Sequence, residues 1–161
     1  MLYNPGMTTI LVGERVGKRG RIRLGCSAVL FDPAMEQVLL TRRADNGQWC
    51  LPGGAIDPGE TVTEACGREF YEETGLRVRV VRLTGVYSTP DQLVVYPDGT
   101  RVQIIALNFL VELLGGEMVL TSETTAIRYF PVAEAVSMDL FHSHAERIRD
   151  AARGEQAAII K

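Results

Sequence analysis

The chain is poor in the residues that make covalent staples and structural metal sites. It holds three cysteines in 161 residues, Cys26, Cys50 and Cys66. They form no CxxC pair and no zinc-ligand spacing, which excludes a disulfide framework and a zinc module. An odd, scattered set of thiols makes a reducing cytoplasm the expected location. Histidine is scarcer still, with only His142 and His144. At that spacing two side chains leave a helix in different directions, so surface positions are expected and a metal pair is not. No apolar run approaches the roughly 18 residues that cross a bilayer. Met1 to Ile10 lacks a signal-peptide core, and Met7 is an alternative start. An excess of one charge is also missing: 17 Lys and Arg stand against 20 Asp and Glu, for a net charge of −3. That balance gives no basic field for a nucleic acid polymer. A small anionic substrate would need a local cationic device, such as a metal ion or a few arginines. Repeats, low-complexity tracts and linkers are absent too, so residues 1–161 are expected to form one domain. A chain of this length can fold without cross-links.

What is present alternates between strand and helix patterns. Cys26 to Phe31 and Val38 to Thr41 read as short buried strands. Asp45 to Pro58, rich in Gly and Pro, reads as loop. Thr61 to Thr74 reads as a helix, with Thr61 and Glu64 as a capping box and Gly75 as its stop. Gly67 in its middle costs about 1 kcal/mol against Ala, with no evident reason. Arg77 to Tyr87 alternates as a half-buried strand. Leu93 to Tyr96 and Arg101 to Glu112 follow, hinged at Pro97-Asp98-Gly99. Gly115-Gly116 marks a turn, Ile127 to Phe130 a last strand, and His142 to Arg153 a helix stopped by Gly154. The fold class is α+β, a mixed sheet with one central and one C-terminal helix.

Function concentrates in the central helix. Advancing about 100° per residue puts Val62, Ala65, Cys66, Glu69 and Glu73 on one stripe, with Glu72 at its margin. Carboxylates that continue an apolar stripe are costly unless something positive meets them. Hard divalent cations prefer clustered carboxylate oxygens, and Mg²⁺ pairs them with substrate phosphates. A solvated glutamate face explains the helix alone equally well. The preceding loop tips the balance: Gly53, Gly54 and Gly59 let backbone approach a ligand, and Pro52 and Pro58 stiffen it. The loop lacks the GKS or GKT ending of a P-loop.

Gly54, Glu60 and the run Arg68-Glu69-Phe70-Tyr71-Glu72-Glu73-Thr74-Gly75-Leu76 together resemble the Nudix box, G-x5-E-x7-R-E-U-x-E-E-x-G-U. Every fixed position matches across residues 54–76, and Phe70 stands where an aliphatic residue is usual. The resemblance extends to Leu39–Arg43 and Trp49–Gly54 upstream, and to Glu123-Thr124 and Arg128–Phe130 downstream. It implies a Nudix fold, an α/β/α sandwich around a mixed sheet. It implies that Glu69, Glu72 and Glu73, with a carbonyl at Gly54, bind Mg²⁺, for which Mn²⁺ can substitute. Glu60 and Arg68 would orient those carboxylates. Glu123 is the candidate general base, although Ala126 stands where a second glutamate is common. Arg43 matches a phosphate-contacting arginine; a solvated strand end explains it equally well.

The implied reaction is hydrolysis of a nucleoside diphosphate linked to another group. Pro90 lies close to where a proline marks ADP-ribose hydrolysis, so ADP-ribose or another nucleoside diphosphate sugar is the expected substrate. Oxidised or non-standard nucleoside triphosphates are the runner-up, and a non-catalytic nucleotide-binding module is the alternative from another class. An intact box argues against that module. The partner is thus a small nucleotide-like molecule, with no nucleic acid polymer and no membrane. The oligomeric state is open, a homodimer included. Trp49 is expected to pack rather than stack on a base, and Cys50 has no histidine to activate it. Arg19, Arg21 and Arg23 alternate along a possible strand, facing either a phosphate or solvent.

Overall fold

The computed structural model describes residues 7–161. Most of the segment weighed above as a leader therefore lies outside the described residues. The elements are β1 (Thr9–Val12), a 3-10 turn (Val16–Arg19), β2 (Arg21–Leu30), β3 (Gln37–Arg43), β4 (Trp49–Cys50), α1 (Val62–Thr74), β5 (Leu76–Tyr87), β6 (Gln92–Val95), β7 (Arg101–Gly116), β8 (Thr124–Pro131), α2 (Val132–Ala135), α3 (His144–Ala152) and β9 (Ile159–Ile160). A mixed six-stranded sheet runs β1-β6-β7-β5-β9, and β2 pairs with β7 in parallel. A three-stranded antiparallel sheet runs β4-β3-β8. No described helix is long and apolar enough to cross a membrane.

Layering follows from the unbroken apolar run on β2, since a strand covered on both faces has no polar side. Cys26, Ala28 and Leu30 join Ala65, Cys66 and Phe70 of α1 in one core. Val29 and Phe31 join Ala135, Leu140, Ile148 and Ala151 in another. Strand β3 divides likewise, Leu39 to the first core, Val38 and Leu40 to the second. Helix α1 thus covers one side and α2 with α3 the other, as the expected α/β/α sandwich requires.

Helix α1 begins and ends where its caps dictate. The Thr61 and Glu64 side chains each take the other's backbone N–H, and Gly75 closes the helix at φ 75°. A methyl group added at Gly67 would meet nothing within 4 Å, so nothing in the structure explains that glycine. Several boundaries differ from the sequence expectation. Trp49 and Cys50, expected in loop, form β4 against Arg42 and Thr41. Gly115 and Gly116 remain in β7, paired with Arg77 and Leu76, because their positive φ values let the ladder bend without ending. Helix α3 starts at His144 and not at His142, whose φ of 52° is left-handed. Strands β1 and β9 were not anticipated. Trp49 packs edge-on against Phe130, with ring centroids 4.8 Å apart.

Candidate active site

The loop after β4 is fastened along β2 by backbone bonds. Ala28 N–H donates to the Pro52 carbonyl and Cys26 N–H to the Gly54 carbonyl, each at 2.9 Å. Gly53 lies so close to β2 that a Cβ there would collide with the Cys26 carbonyl and come within 2.7 Å of Ser27 Cα. Its φ of 154° also disfavours any side chain. At Gly54 a Cβ would strike the Glu69 carboxylate, 2.6 Å from Oε1. These two glycines are what allow carboxylates of α1 to reach the turn.

Glu73 accepts the Gly53 N–H at 3.1 Å. Burial pushes its carboxyl up to about 8 against that hydrogen bond, and the Glu69 charge adds to the rise. Burial also raises Glu69, which Arg68 opposes. Arg68 is the cationic hub of the site. Its Nε and Nη2 grip Glu60 at 3.0 and 2.6 Å, and Nη1 reaches Glu69 at 2.8 Å and Glu72 at 3.2 Å. This bidentate grip, with the Asp57 N–H, holds Glu60 down to about 2. Glu72 is the outermost of the group, its side chain 57% exposed against 15% for Glu69.

Glu123 sits at the head of β8, exposed, in an open hollow it shares with Glu73, Arg43, Asp45 and Thr41. Arg43 bonds Asp45 through Nε at 2.9 Å and Nη2 at 2.6 Å, and its guanidinium lies 4.4 Å from the Phe141 ring centroid. It is neither free in solvent nor fully committed. The structure therefore gathers Arg43, Glu69, Glu73, Glu123 and the glycine turn on one side, with Glu60, Arg68 and Glu72 linked along α1. Among the described residues, no group of three or more Asp, Glu, His or Cys side chains converges as a ready-made metal cage. The carbonyl of Gly54 accepts the Cys26 N–H at 2.9 Å and, weakly, the Cys26 thiol at 3.8 Å.

On the other side of the turn opens a small cleft of about 90 Å³, reached by Arg23, Tyr96, His142, His144 and Arg147, and Arg43 lines both this cleft and the hollow of Glu123. Here the sequence expectation for the histidines is corrected. His144 is buried, and its Nδ1 accepts the Leu51 N–H at 2.8 Å. His142 precedes the helix in a left-handed conformation, so helical geometry does not separate the two rings, and both line the cleft. In the sequence Arg147 is one arginine in a charged helix. Its partner Ser27, on a distant strand, gave no local signal. Arg23 faces the cleft over Tyr96, 5.1 Å from the ring centroid, whereas Arg19 and Arg21 are exposed. Cys50 is buried beside Thr41, and burial pushes its thiol up to about 12, which removes it as a nucleophile.

The family model described as the NUDIX domain matches residues 21–151. A MutT-like protein of Streptomyces ambofaciens is 40% identical over 118 residues, covering 73% of this chain and 70% of that protein. A protein of Methanocaldococcus jannaschii named ADP-ribose pyrophosphatase is 35% identical over 135 residues, covering 80% and 76%. The solved structure of an ADP-ribose pyrophosphatase from Streptococcus suis superposes with a TM-score of 0.68 at 24% identity, over 86% of this chain and 98% of that one. A NUDIX hydrolase from Nitrosomonas europaea gives 0.70 at 22% identity, over 88% and 79%. At those identities the two structures speak for the fold.

Proposed function

The chain belongs to the Nudix family of hydrolases, enzymes acting on phosphoric anhydride bonds, and we propose that it cuts the diphosphate of a nucleoside diphosphate joined to another group. ADP-ribose or a nucleoside diphosphate sugar is the preferred substrate in this reading. One observation carries it: two glutamates of one helix, Glu69 and Glu73, are drawn out of solvent against a glycine turn. Burying paired carboxylates is unfavourable unless a cation shares them, and oxygen-only donors suit a hard divalent ion. The name of the Methanocaldococcus relative favours ADP-ribose among the candidates.

Glu69 and Glu73, with Glu72 and the Gly54 carbonyl, would hold Mg²⁺, for which Mn²⁺ can substitute. Such an ion supplies charge neutralisation of the diphosphate and a more acidic water. Glu60 and Arg68 fix the direction of the Glu69 carboxylate, the role that outer partners play at metal sites. Glu123, exposed to the hollow over Glu73, takes the proton of the attacking water. Arg43, already aimed along Phe141, meets a phosphate oxygen.

The test is product release across ADP-ribose, nucleoside diphosphate sugars and oxidised nucleoside triphosphates with Mg²⁺. In ¹⁸O-labelled water the label is expected on a phosphate product. Label on a ribose carbon, or no turnover of any diphosphate, would overturn the reading.

A further inference from the structure

Arg147 is 3% exposed, yet every group bonded to it is neutral. Nε donates to Ser143 Oγ at 3.1 Å, Nη1 to Ser27 Oγ at 3.1 Å and Nη2 to His142 Nδ1 at 3.2 Å. The guanidinium lies 5.3 Å from the Tyr87 ring centroid. Glu146, held by Lys161, acts on it only from a distance. Burial lowers its pKa to about 10, so it keeps its charge at neutral pH. A buried cation without an anion is unfavourable in an isolated protein.

The surroundings point the same way. Because Nδ1 of His144 accepts the Leu51 N–H, its remaining hydrogen is on Nε2. Because Nδ1 of His142 accepts from Arg147, the same tautomer follows there. The cleft lined by these residues also holds Arg23 and Arg43 and has no Asp or Glu in its lining. Its charge is opposite to that of the carboxylate face; the Gly53–Gly54 turn lines the cleft on one side and meets Glu69 and Glu73 on the other. Ser27, the anchor of Arg147, lies directly beneath Gly53. The left-handed backbone of His142 adds local strain of the kind that sites retain.

We propose that Arg147 and His142 form a phosphate subsite distinct from the carboxylate face, and that it receives a phosphate ester on the substrate outside the diphosphate that is cut, a group ADP-ribose itself lacks, so that the subsite favours a further-phosphorylated nucleoside diphosphate compound. The identity of that substrate rests on the hydrolase reading above; the existence of the subsite does not.

The test uses the full chain in EDTA, so that turnover plays no part. Thermal melting and ³¹P line broadening are followed against inorganic phosphate and against methyl phosphate, at constant ionic strength. The wild type is expected to gain melting temperature saturably with both. Arg147→Met is expected to lose that response while melting no lower than the wild type without phosphate, because a methionine removes an uncompensated buried charge. A purely structural arginine would instead leave a strongly destabilised protein. His142→Gln is the second variant, expected to weaken phosphate binding about tenfold or more with the fold intact, the scale of one charge-assisted site. Glu73→Gln should respond to phosphate as the wild type does, which separates this subsite from the hydrolase reading. Equal phosphate responses in wild type, Arg147→Met and His142→Gln would overturn the proposal. So would a response to inorganic phosphate with none to methyl phosphate, which would mark a site for the free ion.

Discussion

Glu73 and Gly53 hold one another: the carboxylate Oε2 accepts the glycine N–H at 3.1 Å, tying the end of α1 to the turn after β4. Glu73→Gln keeps an oxygen for that bond and removes the carboxylate that a cation would bind. Saturating Mg²⁺ should raise the melting temperature of the wild type by about 5–10 °C, the scale for a ligand at roughly a hundred times its Kd. Calorimetry of Glu73→Gln should show most of that gain lost. An equal gain in both proteins would remove Glu73 from the metal site.

The neighbouring glycines should fail in different ways. Gly53→Ala sets a methyl against β2 backbone at φ 154° and should cost about 3 kcal/mol or more in urea unfolding. For Gly54→Ala the nearest obstruction is the Glu69 carboxylate, the end of a flexible side chain. That variant should stay within about 1 kcal/mol of wild type while losing most of its activity. If Gly54→Ala works normally, Glu69 need not lie against the turn.

Glu123→Gln addresses proton transfer. A general base contributes roughly 10²–10⁴-fold, so kcat should fall by that factor with metal-induced stabilisation retained. Loss below tenfold would place the base elsewhere.

His142 gives a pH signature. Burial, then the charge of Arg147, takes its imidazole from 6.5 to about 4, and His144 is driven down as well, with Arg147, His142 and Arg43 around it. Between those two values the unfolded chain binds a proton that the native chain refuses. Stability contributed by the neutral ring is therefore full above 6.5 and lost as pH falls toward 4. For His142 alone the loss from pH 7 to pH 5 is about 2 kcal/mol, and it should vanish in His142→Gln. Identical pH slopes in the two proteins would show that this ring titrates normally. Glu73, raised to about 8, has the opposite slope and is common to both.

Gly67→Ala should stabilise the protein by about 1 kcal/mol. The added methyl meets nothing within 4 Å, and α1 is capped at both ends. A loss of activity in that variant would reveal a role that the packing does not explain.

The carboxylate face was legible because its information is local. Thr61, Glu64 and Gly75 set the ends of α1 within a few residues of the glutamates, and a stripe at 100° spacing is readable without neighbours. The glycine turn precedes the same helix. The arginine cleft was not legible, because it depends on pairs far apart in sequence: Leu51 with His144, and Ser27 with Arg147. One misplaced helix start at His142 was enough to send both histidines to the surface. β9 escaped because two residues have no period, and it exists only by pairing with Gly85 and Val86.

The parallel pairing of β2 with β7 has a consequence for synthesis. Leu30 finds its partner only when Val111 has been made, and Ser27 bonds Asn108 across 81 residues. A ribosome thus makes the glycine turn and the whole of α1 before the strand beneath them has its sheet partner β7. Such distant pairing is slow to form, and apolar strands left waiting are prone to stick to one another. The carboxylate face is consequently completed late in translation. A chain halted between α1 and β7 would carry a complete Nudix box on a strand that still lacks its partner.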